Sequence, residues 1–503
     1  MAPEKETKNN GKGAKGKNSK RKRPITSDAV MKKKKAEEKV PELDEVEGSE
    51  SDSEPEPSSL EKGDAAMEWI ISPTSLQDFY KTYWEKKPLH IKRTERNYFK
   101  DVFSTKGLEK ILREQRVLYG KHMDITSYDG ERETHNPAGR VYPAVMWDYF
   151  NNGASIRMIN PQYFSNSVWR LCATLQEHFQ CMVGANVYLT PPGTQGFAPH
   201  WDDVEVFMMQ LEGKKHWRLY DPDHKLPRYS SKNLNQEDLK EPILEVEMEP
   251  GDLIYMPRGT IHQGHCLEGE HSLHITLSAY QLNSWTDLLE KLLPAALAVA
   301  SQEDVEFRQG LPRNYLSCLG AVHSENTSQE RIDFIGKLKG LMGKLFKHAP
   351  VDAAVDQLGK RLMYDALPPA LELGEKCCTV NGDGEKWNSK KNCVVNRVEI
   401  DPDTGVRLVR STACRMVQEE DGIKVYYSTE NTREYHEAEE QWLEVDSDLA
   451  PAIDHLITSY PAWTKVEDLP VEDLESRMQV VGDLWEKGIL ITSEPLEAKY
   501  DDP

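Results

Sequence analysis

The chain has 503 residues, 38% of them hydrophobic and 29% charged, with a formal net charge of −21. That length exceeds one ordinary core, so two or three domains with polar tails are expected. The longest apolar stretch, Leu292 to Ala300, is far too short to span a bilayer, and the lysine-rich start does not read as a secretory signal.

In chain order, residues 1–66 lack apolar periodicity and are predicted to be a disordered tail, basic first and then acidic. Residues 1–40 hold 14 Lys/Arg against 5 Asp/Glu, whereas residues 41–60 hold 8 acidic residues and no basic one. The clusters Lys20 to Pro24 and Lys32 to Lys35 suit a nuclear import receptor reading residues 20–35. Non-specific RNA contact is the plainer alternative. Order is expected from Met67. Ser75 to Trp84 has helical spacing and stops at Lys87-Pro88, where proline forbids continuation. Leu89-His90-Ile91 then starts a strand-like run.

Between about 181 and 280 the pattern turns to short strands. Met182 to Leu189, Val204 to Leu211, His216 to Tyr220, Leu253 to Met256 and Leu273 to Ala279 are separated by Gly/Pro turns, which predicts a sandwich or barrel. Residues 283–372 return to helix. Ile332, Ile335, Leu338, Leu341 and Leu345 form one apolar face, for packing on the chain's own core or on a second copy. Further on, Met416 to Thr429 reads as a hairpin, Leu449 to Ser459 and Val471 to Lys487 as helices, and Gly488 to Thr492 as a strand. Helices with a small sheet fit a winged helix. Residues 375–503 carry 29 Asp/Glu and 14 Lys/Arg, so that module reads as structural or protein-binding rather than DNA-binding. The eight cysteines contain no CxxC pair, and adjacent Cys377 and Cys378 make poor joint zinc ligands, so free thiols in a reducing compartment are expected.

His200-Trp201-Asp202 is the motif that carries chemistry. Positions i and i+2 of a strand share a face, so an imidazole and a carboxylate reach one ion. In a second segment, Glu249 to His262, a turn feeds a strand and a histidine follows a second turn. Two histidines and a carboxylate leave coordination positions open for an oxidant and a cosubstrate, as in non-heme iron oxygenases. His265 rivals His262, which is favoured because it directly follows the turn. Asp203 and Glu205 rival Asp202; by strand alternation Asp203 faces away, and Glu205 is one pleat off register. A 2-oxoglutarate cosubstrate chelating iron needs a cation for its distal carboxylate, and Lys215 is the candidate, with Lys214 left in the turn. Asn186 and His274 stand in otherwise apolar strands as cosubstrate hydrogen-bonding candidates; an ordinary buried hydrogen bond is the competing explanation for each.

With these residues the chain resembles the JmjC-type ribosomal oxygenases, and within them the nucleolar branch with lysine-demethylase and histidyl-hydroxylase activities. The resemblance runs from Tyr80 to Leu89, through Asn186 to Pro192, His200 to Asp203, Gln210 to Trp217 and Pro257 to Gln263, to His271 to Ser278, and covers essentially residues 67–500. It implies an α+β chain: a disordered tail (1–66), a JmjC double-stranded β-helix of the cupin type (67–282), a helical dimerisation domain (283–372) and a C-terminal winged helix (373–503). It implies Fe(II) held by His200, Asp202 and His262, 2-oxoglutarate held by Lys215 with Asn186 and His274 nearby, and Arg157, Tyr188 and Ser278 facing a substrate peptide. The expected activities are histidyl hydroxylation of a large-subunit ribosomal protein and demethylation of methyl-lysine on the histone H3 tail. A homodimer in the nucleus and nucleolus, acting in ribosome biogenesis and transcription regulation, goes with them. The competing readings are a non-catalytic chromatin or transcription adaptor, and a divalent-metal cupin enzyme without oxygen chemistry.

Overall fold

Strand alternation organises the N-terminal half of the computed structural model, which describes residues 57–382 and 384–500, with side chains to residue 498. The basic and acidic stretches up to residue 56, including both lysine clusters, lie outside the described residues. Helices α1 (Ser59–Ile71), α2 (Leu76–Thr82), α3 (Thr105–Glu114), α4 (Pro143–Asn151) and α5 (Asn166–Phe179) are interleaved with eleven strands. These are β1 (Leu89–Ile91), β2 (Met123–Tyr128), β3 (Arg132–Thr134), β4 (Ser155–Ile159), β5 (Gly184–Thr190), β6 (Glu205–Gly213), β7 (Lys215–Tyr220), β8 (Leu244–Met248), β9 (Leu253–Met256), β10 (Ile261–Cys266) and β11 (Ser272–Ala279). Eight of them form one antiparallel sheet, ordered β1-β9-β6-β11-β5-β4-β2-β3, and β10-β7-β8 form a second.

Helix α1 corrects the expected tail: the chain is already helical from Ser59 and buries Met67, Ile70 and Ile71. Its start carries a capping box in which Ser58 accepts from the Glu61 backbone N–H while the Glu61 carboxylate accepts from that of Ser58. The surrounding acidic residues hide this signal in the sequence.

The period of two along each strand splits the large sheet into two faces. Phe207, Met209, Leu253, Tyr255, Leu273, Ile275, Val187 and Leu189 join a core shared with α1, α2 and α5. The alternate residues Val206, Met208, Ile254 and Met256 face inward and pack with Trp217 and Leu219 of the small sheet. Along β5 and β11 the same inward positions change character, to Asn186, Tyr188 and Thr190 and to His274, Thr276 and Ser278. Half of the barrel interior is thus apolar and half polar, and the polar half holds the candidate site.

Helices α6 (Trp285–Glu303), α7 (Val305–Arg308), α8 (Tyr315–Cys318), α9 (Gln329–Leu345) and α10 (Val351–Asp365) follow. Their own core is small, built on Ala296, Ala300 and Leu345. Ile332, Leu338 and Met342 of α9 and Leu289, Leu293 and Leu297 of α6 are exposed. Packing on the chain's own core therefore covers Leu345 and part of Ile335 and Leu341 but leaves Ile332 and Leu338 of the α9 stripe uncovered. The C-terminal part has the expected hairpin at Cys414–Glu419 and Gly422–Tyr427, helices Ala450–Ser459 and Leu474–Glu486, and the strand Leu490–Thr492. Val406, Leu456, Val481 and Leu484 are among its core residues. No helix among the described residues is long and apolar enough to cross a membrane.

Candidate active site

Among the described residues, one group of side chains is arranged to hold a metal: His200, Asp202 and His262, with ligand atoms all within 4.8 Å of one another. His200 Nε2 lies 3.9 Å from one Asp202 oxygen and His262 Nε2 lies 3.8 Å from the other. Each imidazole is oriented through its other nitrogen: Nδ1 of His200 meets the Ala198 carbonyl at 2.8 Å, and Nδ1 of His262 meets that of Thr260 at 3.0 Å. A carbonyl only accepts, so both Nδ1 atoms carry the hydrogen and both Nε2 lone pairs face the shared point. Burial, with His200 beside it, pushes His262 down to about 4, which keeps its ring neutral at physiological pH.

His200-Trp201-Asp202 is not the regular strand that the i, i+2 spacing predicts. His200 makes an isolated bridge to His262, through mutual backbone hydrogen bonds of 2.9 and 3.3 Å, and the chain then leaves strand geometry. Asp202 is fixed by the Gly259 N–H donating to its carbonyl at 2.9 Å. The rivals point elsewhere. His265 belongs to the same strand as His262, β10, so orientation separates them. Across the sheet His262, Gly264 and Cys266 pair with Leu219, Trp217 and Lys215 and share their inward face, while His265 pairs with His216 on the outer face. Asp203 accepts from Gln281 Nε2 at 3.0 Å. Glu205 is buried outside the barrel, where it accepts from the Tyr255 hydroxyl. Gly264 keeps the interior open to the Trp217 ring, since a Cβ there would sit 2.8 Å from it.

The triad borders a cavity of about 390 Å³ that also contains Lys215, Asn186, His274, Arg157, Tyr188 and Ser278, so every residue expected at the site lines one space. Lys215 is only 4% exposed and donates to the Thr190 hydroxyl at 3.0 Å. No ion pair is formed by it among the described residues, and burial pushes it down to about 8. Among the described residues Nδ1 of His274 is buried with no hydrogen-bond partner, its ring stacked 4.8 Å from Tyr188. Arg157 pairs with Asp124 and faces the Phe197 ring at 5.7 Å. A desolvated cation without a carboxylate and an orphaned imidazole nitrogen, beside two neutral imidazoles and a carboxylate, fit a divalent metal and a dicarboxylate together.

Several residues that build the site are not evident in the sequence. Thr190, behind the lining, supports Lys215, while in the lining Ser231 accepts from the Trp201 N–H at 2.9 Å and Arg132 lies 4.5 Å over Phe197. Only the inward alternation of β5 signals Thr190; nothing local marks the other two.

Comparison with known proteins shows the family. The profile described as JmjC domain matches residues 157–288, and that described as Ribosomal oxygenase 1, C-terminal winged helix domain, matches residues 367–496. Ribosomal oxygenase 1 of Danio rerio is 48% identical over 445 residues, covering 88% of this chain and 82% of that protein. The chain belongs to the ribosomal oxygenase family. Another member, the Branchiostoma floridae protein named bifunctional lysine-specific demethylase and histidyl-hydroxylase NO66, is 46% identical over 438 residues, covering 87% of this chain and 69% of its own. A solved structure described as YcfD, a ribosomal oxygenase from Escherichia coli in complex with cobalt and 2-oxoglutarate, aligns at 19% identity and a TM-score of 0.43, covering 84% of this chain and 99% of that one. As a JmjC ribosomal oxygenase the chain is a 2-oxoglutarate-dependent oxygenase, with Fe(II) as its metal and 2-oxoglutarate as cosubstrate.

Proposed function

We propose that this ribosomal oxygenase hydroxylates a histidine side chain in a large-subunit ribosomal protein and also acts on methyl-lysine of the histone H3 tail. The observation that carries the reading is the triad of His200, Asp202 and His262 facing the unpaired Lys215 across one cavity. Relatives named for ribosomal oxygenation, histidyl hydroxylation and lysine demethylation support the substrate classes.

His200 Nε2, Asp202 and His262 Nε2 are the donors that would hold the metal. Lys215, steadied by Thr190, holds the distal carboxylate of 2-oxoglutarate, and Asn186 and His274 contact the same molecule. The loaded centre couples oxidative decarboxylation of 2-oxoglutarate to insertion of one oxygen atom into a substrate C–H bond. Val206, Met208 and Trp217 wall the site with apolar surface and keep water from it. Arg157, Tyr188 and Ser278 face the substrate, and positioning its target carbon is their contribution. Oxygen insertion at a histidine side chain gives a hydroxyhistidine. At an N-methyl group it gives a hemiaminal that breaks down to formaldehyde and the demethylated amine. Mass spectrometry of ribosomal and histone H3 peptides incubated with the purified protein tests this. A gain of one oxygen on a histidine supports the first activity and loss of a methyl from lysine the second; neither change on any peptide overturns the reading.

Lys215 sets a pH dependence. It is charged below about pH 8 and neutral above. The anion needs the charged form, and its binding raises the lysine pKa further. The KM for 2-oxoglutarate is therefore expected to be flat near pH 7 and to climb towards about tenfold per pH unit above about pH 8. Steady-state kinetics across that range checks this, and a KM unchanged up to about pH 9.5 would contradict it.

The enzyme acts as a homodimer through α6 and α9, placed in the nucleus and nucleolus by an import receptor bound to residues 20–35, with ribosome biogenesis and transcription regulation as its setting. Leu289, Leu293 and Leu297 recur every four residues as an exposed row of α6 that runs beside buried Leu292, Ala296 and Ala300. Such a stripe is stable in water when a partner covers it. The double substitution Leu293→Glu with Leu297→Glu is expected to halve the mass measured by light scattering while metal-dependent 2-oxoglutarate turnover persists. An unchanged mass would remove α6 from the interface.

A further inference from the structure

A second cavity, of about 500 Å³, opens where the polar rows of β5 and β11 run out. Asn186, Val204, Ser278 and Gln281 line it and line the metal cavity as well, so the two spaces adjoin. Its opposite wall comes from α10 and from the winged-helix region, through Val355, Gly359 and Thr412. The charged groups there are already matched: Arg361 donates to Asp365 at 3.0 Å and Arg415 to Asp356 at 2.9 Å.

Carboxamides dominate what remains. Asn160, Gln180, Asn186, Gln281 and Asn283 all line the cavity, and beyond Asn186, which serves the cosubstrate, the side chains of Gln180 and Asn283 make no hydrogen bond among the described residues. A carboxamide donates and accepts, which matches the alternating N–H and C=O groups of an extended main chain. Asn160, Gln180 and Leu282 line it with φ of 51°, 49° and 49°; at Gln180 the left-handed residue is the C-cap that ends α5.

We propose that this second cavity holds the stretch of substrate polypeptide next to the target residue, extended and uncharged, so that α10 and the winged-helix region take part in substrate recognition. The proposal rests on the protein-substrate reading above. A small charged metabolite is disfavoured because no unmatched charge awaits it. A peptide leaving the metal cavity over Ser278 enters this space directly.

The test uses the full-length enzyme with Fe(II), 2-oxoglutarate and a peptide that mass spectrometry shows to be modified. That peptide is compared at about 20 residues, some 70 Å if fully extended, and cut to about three residues on each side of the target. The long form is expected to have a KM lower by about tenfold, worth about 1.4 kcal/mol. Val355→Trp, which fills the cavity from its exposed α10 position, should raise the long-peptide KM to near that of the short one. It should leave the KM values for the short peptide and 2-oxoglutarate unchanged, and Val355→Ala should resemble wild type throughout. Equal KM values for both lengths in wild type overturn the proposal, whatever the variant does. So does a long-peptide KM that Val355→Trp leaves unmoved. Length independence leaves the protein-substrate reading standing, whereas modification of no peptide by wild type removes both.

Discussion

Replacement of Asp202 by asparagine is expected to reduce substrate-dependent 2-oxoglutarate turnover by about a thousandfold or more, on the order of 4 kcal/mol at tenfold per 1.4 kcal/mol. A divalent ion among two neutral imidazoles depends on this carboxylate for its only protein-supplied negative charge, and a neutral amide donates far less to it. Folding should be indifferent. The Asp202 side chain is 38% exposed, and the Asp202 atom engaged in the fold is its carbonyl, which accepts from Gly259 and is kept by the substitution. Surface changes of this kind stay within about 0.5 kcal/mol. Turnover assays and thermal unfolding of the same preparation check both halves. Loss of activity together with loss of fold would return Asp202 to a structural role.

Lys215→Met is expected to raise stability while impairing function. A nearly fully buried ammonium with one hydroxyl partner is expensive to keep, so an apolar side chain of similar length should stabilise the cofactor-free protein by about 1–3 kcal/mol. The same change removes the cation opposite the distal carboxylate, and the KM for 2-oxoglutarate should rise by about a hundredfold or more, the loss of one buried charge-assisted contact of about 3 kcal/mol. Lys215→Arg should fail to restore it, because a planar fork does not fit where a point charge meets Thr190. A variant that is destabilised, or that keeps its KM, would mean that Lys215 serves the core rather than the cosubstrate.

The site was legible in the sequence where strand periodicity did the placing. β5, β6, β7, β9 and β11 fall within two residues of their expected spans, and Asn186 and His274 stand out as polar residues in apolar strands. It failed where tertiary contacts override pattern. Asp202 reaches the metal position from irregular chain held by Gly259, and β10 was not marked because His262, Gln263, Gly264 and His265 lack strand-like alternation. β8, Leu244-Glu-Val-Glu-Met248, alternates clearly but follows a long polar stretch that masks it. α1 was lost in acidic composition although its capping box was present. Arg132 and Ser231 reach the cavity from separate segments, and local propensity carries no information about such distances. The α9 stripe was read as ambiguous, and its exposure shows why: periodicity reports an apolar face without saying what covers it.

Oxygenase activity requires that His200, Asp202 and His262 grip one ferrous ion. Anaerobic titration with Fe(II) in the presence of 2-oxoglutarate, followed by the visible charge-transfer absorption of the iron–keto-acid chelate, measures this directly. One equivalent per chain is predicted for wild type and for His265→Ala, and no saturable signal for His262→Ala. An undiminished signal in His262→Ala, or its loss in His265→Ala, would contradict the assignment.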